Sequence, residues 1–370
     1  MTRFVPYNMP GGYGITTELW RVQRSGALIE QVDPVKVGPV TITCNENVAV
    51  KRSATIQTDD PHHYKPFVDY LMPFLYITDP EGNSIGGPQG LYMVVPSGTS
   101  MDASDITGTV ECRDLCQMFE MNTSPGFNAT GGLDRGAIIR QLALDNGIAP
   151  EQIQVPDFGV LQPEDRVWEP GTTLMQVLTD LATGSNWYQP WFDNRGRLMT
   201  SPYAPLTDVP PTHTFTNEDD EHAADIEGAI QGEPDWNRLA NRVTVRKIGD
   251  QEHPTISYTA SNNSPDSPSS FQNLGVWISK VVDNYELVDE DAARVQAEQM
   301  LSEASSQYMK VSLPTFPVVD AELHHTIRLE ITRGPETIYT GNFWRTGYTL
   351  TLDGGNTTMN QSLARVEEWR

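Results

Sequence analysis

Apolar and polar positions alternate along the first third of the chain. Val40, Ile42 and Cys44 alternate with Thr41 and Thr43, and Leu91, Met93 and Val95 with Tyr92 and Val94, the two-residue period of strands packed on one face. From Ile15 to about Glu120 this pattern predicts β structure. Asp79-Pro80-Glu81-Gly82 and Gly86-Gly87-Pro88 separate the strands, because their residues set or permit turn dihedrals. A barrel or sandwich is expected. Phe67, Tyr70 and Leu71 share a helical face, which predicts a short helix between Pro66 and Pro73 plugging one end.

The period changes between about Thr123 and Pro205. Asp134 is placed to cap a helix whose stripe is Ile138, Ile139 and Leu142, stopped by Asn146-Gly147. A second helix starts near Thr172-Thr173, carries Leu174, Val177, Leu178 and Leu181 on one face, and stops at Gly184. The aromatic run Trp187 to Phe192, the turn Asp193-Asn194-Arg195-Gly196 and the strand Arg197-Leu198-Met199 read as a hairpin. Between Asn217 and Ala224 the run Glu218-Asp219-Asp220-Glu221 is too polar to bury and marks a loop or boundary.

A second barrel is expected from near Trp236, with a Ser-, Asn- and Pro-rich loop at Ser261 to Ser270. Its strands are Val276-Trp277-Ile278 with Val281-Val282, Met309 to Leu313, Thr326 to Ile331, and Tyr339 through Leu352. Among them lies one helix over about 289–306, capped by Asp289, with Glu290 and Asp291 at its positive end and Ala293, Ala297, Met300, Leu301 and Ala304 as its apolar stripe. That stripe predicts a helix on a curved antiparallel sheet. The fold class is therefore mainly β with an α+β insertion: 1–122 a first barrel, 123–205 the inserted helix-pair and hairpin module, 206–235 an acidic linker and return, and 236–370 a second barrel with one packed helix.

Composition narrows the function. A chain of 370 residues is long enough for two to four modules with cores of their own. Lys and Arg number 25 against 49 Asp and Glu, a formal −24, which repels phosphate and argues against sequence-specific nucleic-acid binding. No stretch reaches the roughly 20 apolar residues of a membrane span, so insertion into a membrane by this chain alone is not expected. The segment Met1 to Pro6 lacks the apolar core of a signal peptide, which implies assembly in the cytoplasm. Cys44, Cys112 and Cys116 make no disulfide framework and read as buried thiols.

Candidate chemistry is sparse. Carboxylates are abundant, but spacing alone does not say which converge as an acid and base pair. Trp187 and Trp191 would border a glycan cleft if one existed; as strand aromatics they cover the module's core. His62-His63 and His324-His325 are adjacent pairs, whose side chains diverge on a strand and meet at one metal only in a turn. Cys112 and Cys116 share a helical face but have no second cysteine pair to complete a zinc site. Gly11-Gly12-Tyr13-Gly14 lacks the strand and the Lys-Ser/Thr ending of a phosphate loop, and no Gly-x-Ser-x-Gly elbow occurs. Asn217 to Glu221 lacks the spacing of a calcium loop, and Asn356-Thr357-Thr358 matches a glycosylation acceptor without a secretion signal beside it. No catalytic, cofactor-binding or metal-ligating residue is assigned, and no cofactor and no enzymatic activity are expected.

Asn241 to Val245, Ser267-Pro268-Ser269-Ser270 leading to Leu274-Gly275-Val276-Trp277, the helix Asp291 to Ser306 and the hinge Leu313-Pro314-Thr315-Phe316-Pro317 resemble the second half of phage baseplate hub proteins. Ala54-Thr55-Ile56 with Asp60-Pro61, Leu71 to Leu75, Asp79 to Gly82 and Gly90 to Val94 are similar to that family's first barrel. The resemblance covers nearly the whole chain. It implies a structural protein at the virion tail tip: a homotrimer whose two hub barrels alternate around an axis, so that three chains mate with a hexameric tail-tube or distal-tail ring and surround the DNA exit channel. Implied partners are that ring, the C-terminus of the tape-measure protein, and tail fibre or spike proteins. Envelope piercing would belong to another chain, and an acidic channel wall would let DNA slide. The alternatives are a hexameric distal-tail adaptor and a tail-tip carbohydrate-binding or glycan-degrading protein.

Overall fold

In the computed structural model, residues 14–32, 37–79, 81–96, 99–102, 105–123, 126–204, 209–217, 224–226, 228–234, 239–249, 254–284, 287, 289–333 and 336–366 are described. The fold is mainly β, with helical modules inserted into it. Its frame is a single 16-stranded sheet built from both ends of the sequence, and no closed barrel is formed among the described residues. Among the described residues, nine of its strands lie between Gly14 and Asp114 and seven between His213 and Val366. The two sets meet where Val40–Asn45 pairs antiparallel with Gly347–Leu352.

Alternation creates one continuous core beneath this sheet. Ile42, Ile56, Leu75 and Val110 from the first half pack in the same cluster as Phe215, Leu313, Leu329 and Leu350 from the second. Fully burying side chains of this size contributes about 1.5–3 kcal/mol each, so the halves are joined by packing as well as by their ladder. The 17-residue strand Glu336–Leu352 carries the joint, pairing with Thr326–Arg333 and Thr358–Val366 as well as with Val37–Asn45. Its register slips between Arg345 and Gly347, and a Cβ on Gly347 would stand 2.3 Å from the Cys44 carbonyl oxygen. Only glycine lets the two backbones approach there.

The inserted module has its own core. Asp134 caps the helix Arg135–Asp145 by accepting from the Gly136 and Ala137 amides, and Gly147, at φ 78°, follows its end. Thr173 caps Leu174–Thr183 by accepting from the Gln176 amide. Ile139, Leu142, Val177, Leu178 and Leu181 pack with Trp168 and Phe192, and Val22, Met72 and Leu91 of the first half close the same cluster. The expected hairpin forms as Trp191–Phe192 against Leu198–Met199.

The second half departs from expectation. The strands Arg242–Lys247, Ile256–Ser261 and Ser279–Asp283 leave the large sheet and form a three-stranded sheet of their own, with the first and last parallel. The helix Glu290–Ser306 packs on this small mixed sheet, not on a curved antiparallel one, burying Ala293 and Ala297 against Val243, Val245 and Ala260. Asp289 caps it by accepting from the Ala292 amide at 2.8 Å. The expected strand at Val276-Trp277-Ile278 is absent, because the Asn241 side chain donates to the Val276 carbonyl and accepts from the Ile278 amide and so fixes an irregular turn. Large-sheet strands resume at Gln307–Thr315.

The helix expected between Pro66 and Pro73 also does not form. Strand Tyr70–Thr78 already begins within that span and takes Pro73 opposite Leu19, while Phe67 sits at φ 63°, outside helical geometry. The apolar spacing of Phe67, Tyr70 and Leu71 coincided with a helical period, but Tyr70 and Leu71 follow the strand. Trp236 and the acidic run Glu218 to Glu221 lie outside the described residues.

Gly347→Val is expected to destabilise the protein by about 2 kcal/mol or more, seen as a lower urea midpoint. An unchanged midpoint would show that the two halves do not depend on close contact at this joint.

Candidate functional site: a buried junction and an exposed tip

Arg52 opens the strand Arg52–Thr58 opposite Cys44, and its side chain is wholly buried where the first half, the second half and the inserted module meet. Its guanidinium donates to the Phe192 carbonyl at 3.0 Å, to the Tyr348 hydroxyl at 2.7 Å, to Asn194 Oδ1 and to the Glu322 carboxylate. Glu322 also accepts from the Asn194 amide at 2.6 Å, and Asn194 Nδ2 donates to the Ala321 carbonyl at 3.0 Å. One cation of the first half thus satisfies groups of the inserted module and of the second half.

Local structure delivers each partner. Asn194 sits in the turn of the module's hairpin, where Asp193 Oδ1 accepts from the Arg195 and Arg197 amides and Gly196 takes φ 72°. Asp114 ends its strand by accepting from the Arg52 amide and the Cys116 amide, each at 2.9 Å. Lys51, also buried, reaches Gln189 Oε1 of the module at 2.9 Å. Burial opposes the charge on Arg52, but the Glu322 carboxylate favours it and its pKa stands well above the ordinary value. Burial raises Glu322, with Arg52 pulling the other way, and lifts Asp114 to about 6.

At the surface, Phe67 and Val68 form an apolar tip, 46% and 64% exposed. The tip is firmly based: buried Asp69 accepts from the Lys65 amide at 2.7 Å and from Arg21 Nε and Nη2 at 3.0 and 2.7 Å, and the Phe67 amide donates to Val94. Arg21 also bonds Glu30 in Leu28–Gln31, an exposed strand at one end of the large sheet whose only pairing among the described residues is with Gly14–Val22. Terminal strands of this kind offer free ladder groups to another chain.

Comparison with solved structures places this arrangement among tail proteins. The chain is similar to a tail protein of Neisseria meningitidis MC58, with TM-score 0.66 and 14% identity over 96% of this chain and 98% of that one. The 43 kDa tail protein of prophage MuSo2 from Shewanella oneidensis gives 0.61 and 13%, covering 96% and 99%. Prophage tail protein gp18 of Listeria monocytogenes gives 0.52 and 12%, covering 94% of each. The chain has the fold of phage tail proteins. No family model and no curated protein matches the sequence.

Within this tail-protein fold the sequence's other candidates are dispersed. Trp187 stacks on Phe158 at 4.2 Å and Trp191 is buried, so both cover cores instead of lining a cleft. His62 and His63 are exposed in the short turn Pro61–His63. His324, at φ 60°, stacks on Tyr188 at 4.0 Å, while His325 faces His213 with ring centroids 5.8 Å apart. Cys112 lies in a strand and Cys116 starts a helix, so they do not share a helical face; all three cysteines are buried and free. Gly14 begins a strand, with Gly11 to Tyr13 outside the described residues. Among the described residues no group of three or more His, Cys, Asp or Glu side chains is placed to hold a metal ion, and no helix is long and apolar enough to cross a membrane. The junction residues Arg52, Asn194 and Glu322 had no signal in the sequence, since their partners stand 142 and 270 positions apart.

Arg52→Met is expected to cost about 3–5 kcal/mol by leaving Glu322 buried without its partner, and the Glu322→Gln change made with it should recover part of that loss. Additive losses in the double mutant, by chemical denaturation, would contradict a coupled pair. Acid should also weaken the fold. Burial pushes His324 and His325 down to about 3, so the unfolded chain, near 6.5, binds more protons and stability falls as pH drops from 6.5 towards 3. Asp114 acts oppositely between 6 and 3.8, and Glu322, raised by burial, acts with it, but His213 is lowered as well and Asp320 is held down to about 2, so the groups that lose stability on acidification outnumber those that gain it. The unfolding midpoint should therefore fall below about pH 6, and His325→Gln should flatten the slope; a midpoint that rises on acidification would contradict the neutral burial of these rings.

Proposed function

We propose that the protein is a structural, non-enzymatic component of a phage tail, acting as a trimeric hub at the tail tip. The observation that carries this reading is likeness of fold along essentially the full length of two tail proteins, with nothing large left over on either side. A hub has to present two related surfaces per chain so that three copies match a sixfold ring. The split of the large sheet into a first and a second half, rigidly joined through Gly347–Leu352, supports such a design. In this reading the partners are two further copies, the tail-tube or distal-tail ring, the end of the tape-measure protein and the distal fibres or spike, with assembly in the host cytoplasm.

The charge suits the same role. A formal −24 on each chain disfavours a grip on DNA, and acidic residues facing a central channel would let DNA pass without sticking.

Light scattering on the purified chain over a range of concentrations tests the reading. A particle of about 124 kDa, three times the 41.2 kDa chain, is expected. A hexamer would favour a distal-tail adaptor, and a monomer at every concentration would remove self-assembly as the basis of the role.

A further inference from the structure

Arg345 is the second fully buried arginine at the joint, and its situation is unlike that of Arg52. It is 0% exposed and forms no ion pair among the described residues, and its Nε and Nη2 have no hydrogen-bond partner. Only Nη1 is engaged, by a long 3.4 Å bond to the Glu322 carbonyl. The nearby carboxylates are committed elsewhere: Glu322 to Arg52 and the Asn194 amide, Asp320 to His213 Nε2 at 2.9 Å. Nε and Nη2 are the two parallel N–H groups with which a guanidinium grips an anion, so the orphaned pair is the binding edge of the side chain.

Two imidazoles share its sheet face, His325 directly across the ladder and His213 on the strand beyond, with ring centroids 5.8 Å apart. The Arg345 amide donates to the His325 carbonyl at 3.0 Å, which sets the two residues opposite each other, on the same sheet face as His213 through its pairing with Ile327. His325 Nδ1 is buried and unpartnered and, in the tautomer that carries its proton there, supplies a third donor; His213 Nδ1 is orphaned too. Burial lowers Arg345 to about 10, which still leaves it charged at neutral pH. An unpaired buried guanidinium is costly, and a compact counter-ion removes most of that cost.

We infer that Arg345 Nε and Nη2, with His325 Nδ1, bind a single small anion of chloride type inside the joint between the two halves, making the anion an internal part of the fold. Complete burial selects a weakly hydrated monatomic ion over a phosphate or carboxylate. The ion's role is to lock the long strand Glu336–Leu352 against Thr326–Arg333.

The test is thermal unfolding of the full chain in sodium chloride against sodium fluoride at constant ionic strength. A hundredfold rise in chloride should raise the midpoint of the wild type by about 2 °C or more, following mass action, with no such rise in Arg345→Met. An equal response to chloride in both proteins, or none in the wild type, would overturn the inference, leaving a generic salt effect or water at the site. If Arg345→Met does not fold, crystals of the wild type grown in sodium bromide decide: an anomalous peak in contact with Arg345 Nη2 is expected, and its absence refutes the site.

Discussion

The buried cation of Arg52 is the constraint on which the rest of this molecule depends. From the first half it donates four hydrogen bonds, to a main-chain carbonyl and an amide oxygen of the inserted module and to a carboxylate and a hydroxyl of the second half. Removing a charge from water costs several kcal/mol, and the cost is offset only when every partner is in place at once. Burial therefore makes the junction cooperative: the inserted module, the first half and the second half must dock together, or Arg52 is left without its set.

Rigidity of this kind suits the structural role proposed above. The large sheet crosses from one half to the other without a flexible linker, at a point where Gly347 and Cys44 leave no room for a side chain. Exposed features then acquire fixed positions relative to one another. The Phe67-Val68 tip, anchored on Asp69, and the terminal strand Leu28–Gln31, paired among the described residues only with Gly14–Val22, are tied together through Arg21. The proposed hub would need such fixed geometry, because a small rotation between halves would spoil the proposed match to a ring of neighbours.

Much of the local structure was legible in the residues. The helices capped by Asp134, Thr173 and Asp289 were readable because capping is decided within four residues. The hairpin at Asp193 to Gly196 was readable for a similar reason, its turn being closed by its own side chain. Long-range pairing was not. Nothing in the two-residue period of Val40 to Cys44 says that its partner is Gly347–Leu352, and nothing around Trp236 says that 242–306 steps out of the sheet that resumes at Gln307. The segment at Pro66 departs from its pattern for a physical reason: apolar residues that match a helix period from Phe67 to Leu71 also fit a turn entering a strand, and the pairing of Pro73 opposite Leu19 settles which. The junction itself was silent, since Arg52, Glu322 and Asn194 look like surface residues until the fold brings them together.

The most direct test of the central claim is a cryo-electron microscopy reconstruction of the tail tip of virions containing this chain. Three copies around a threefold axis are expected, each contributing its first and second halves alternately to one ring against the tail tube, with the Arg52 junction intact in every copy. Six copies in a ring, or a single peripheral copy away from the channel, would contradict the hub.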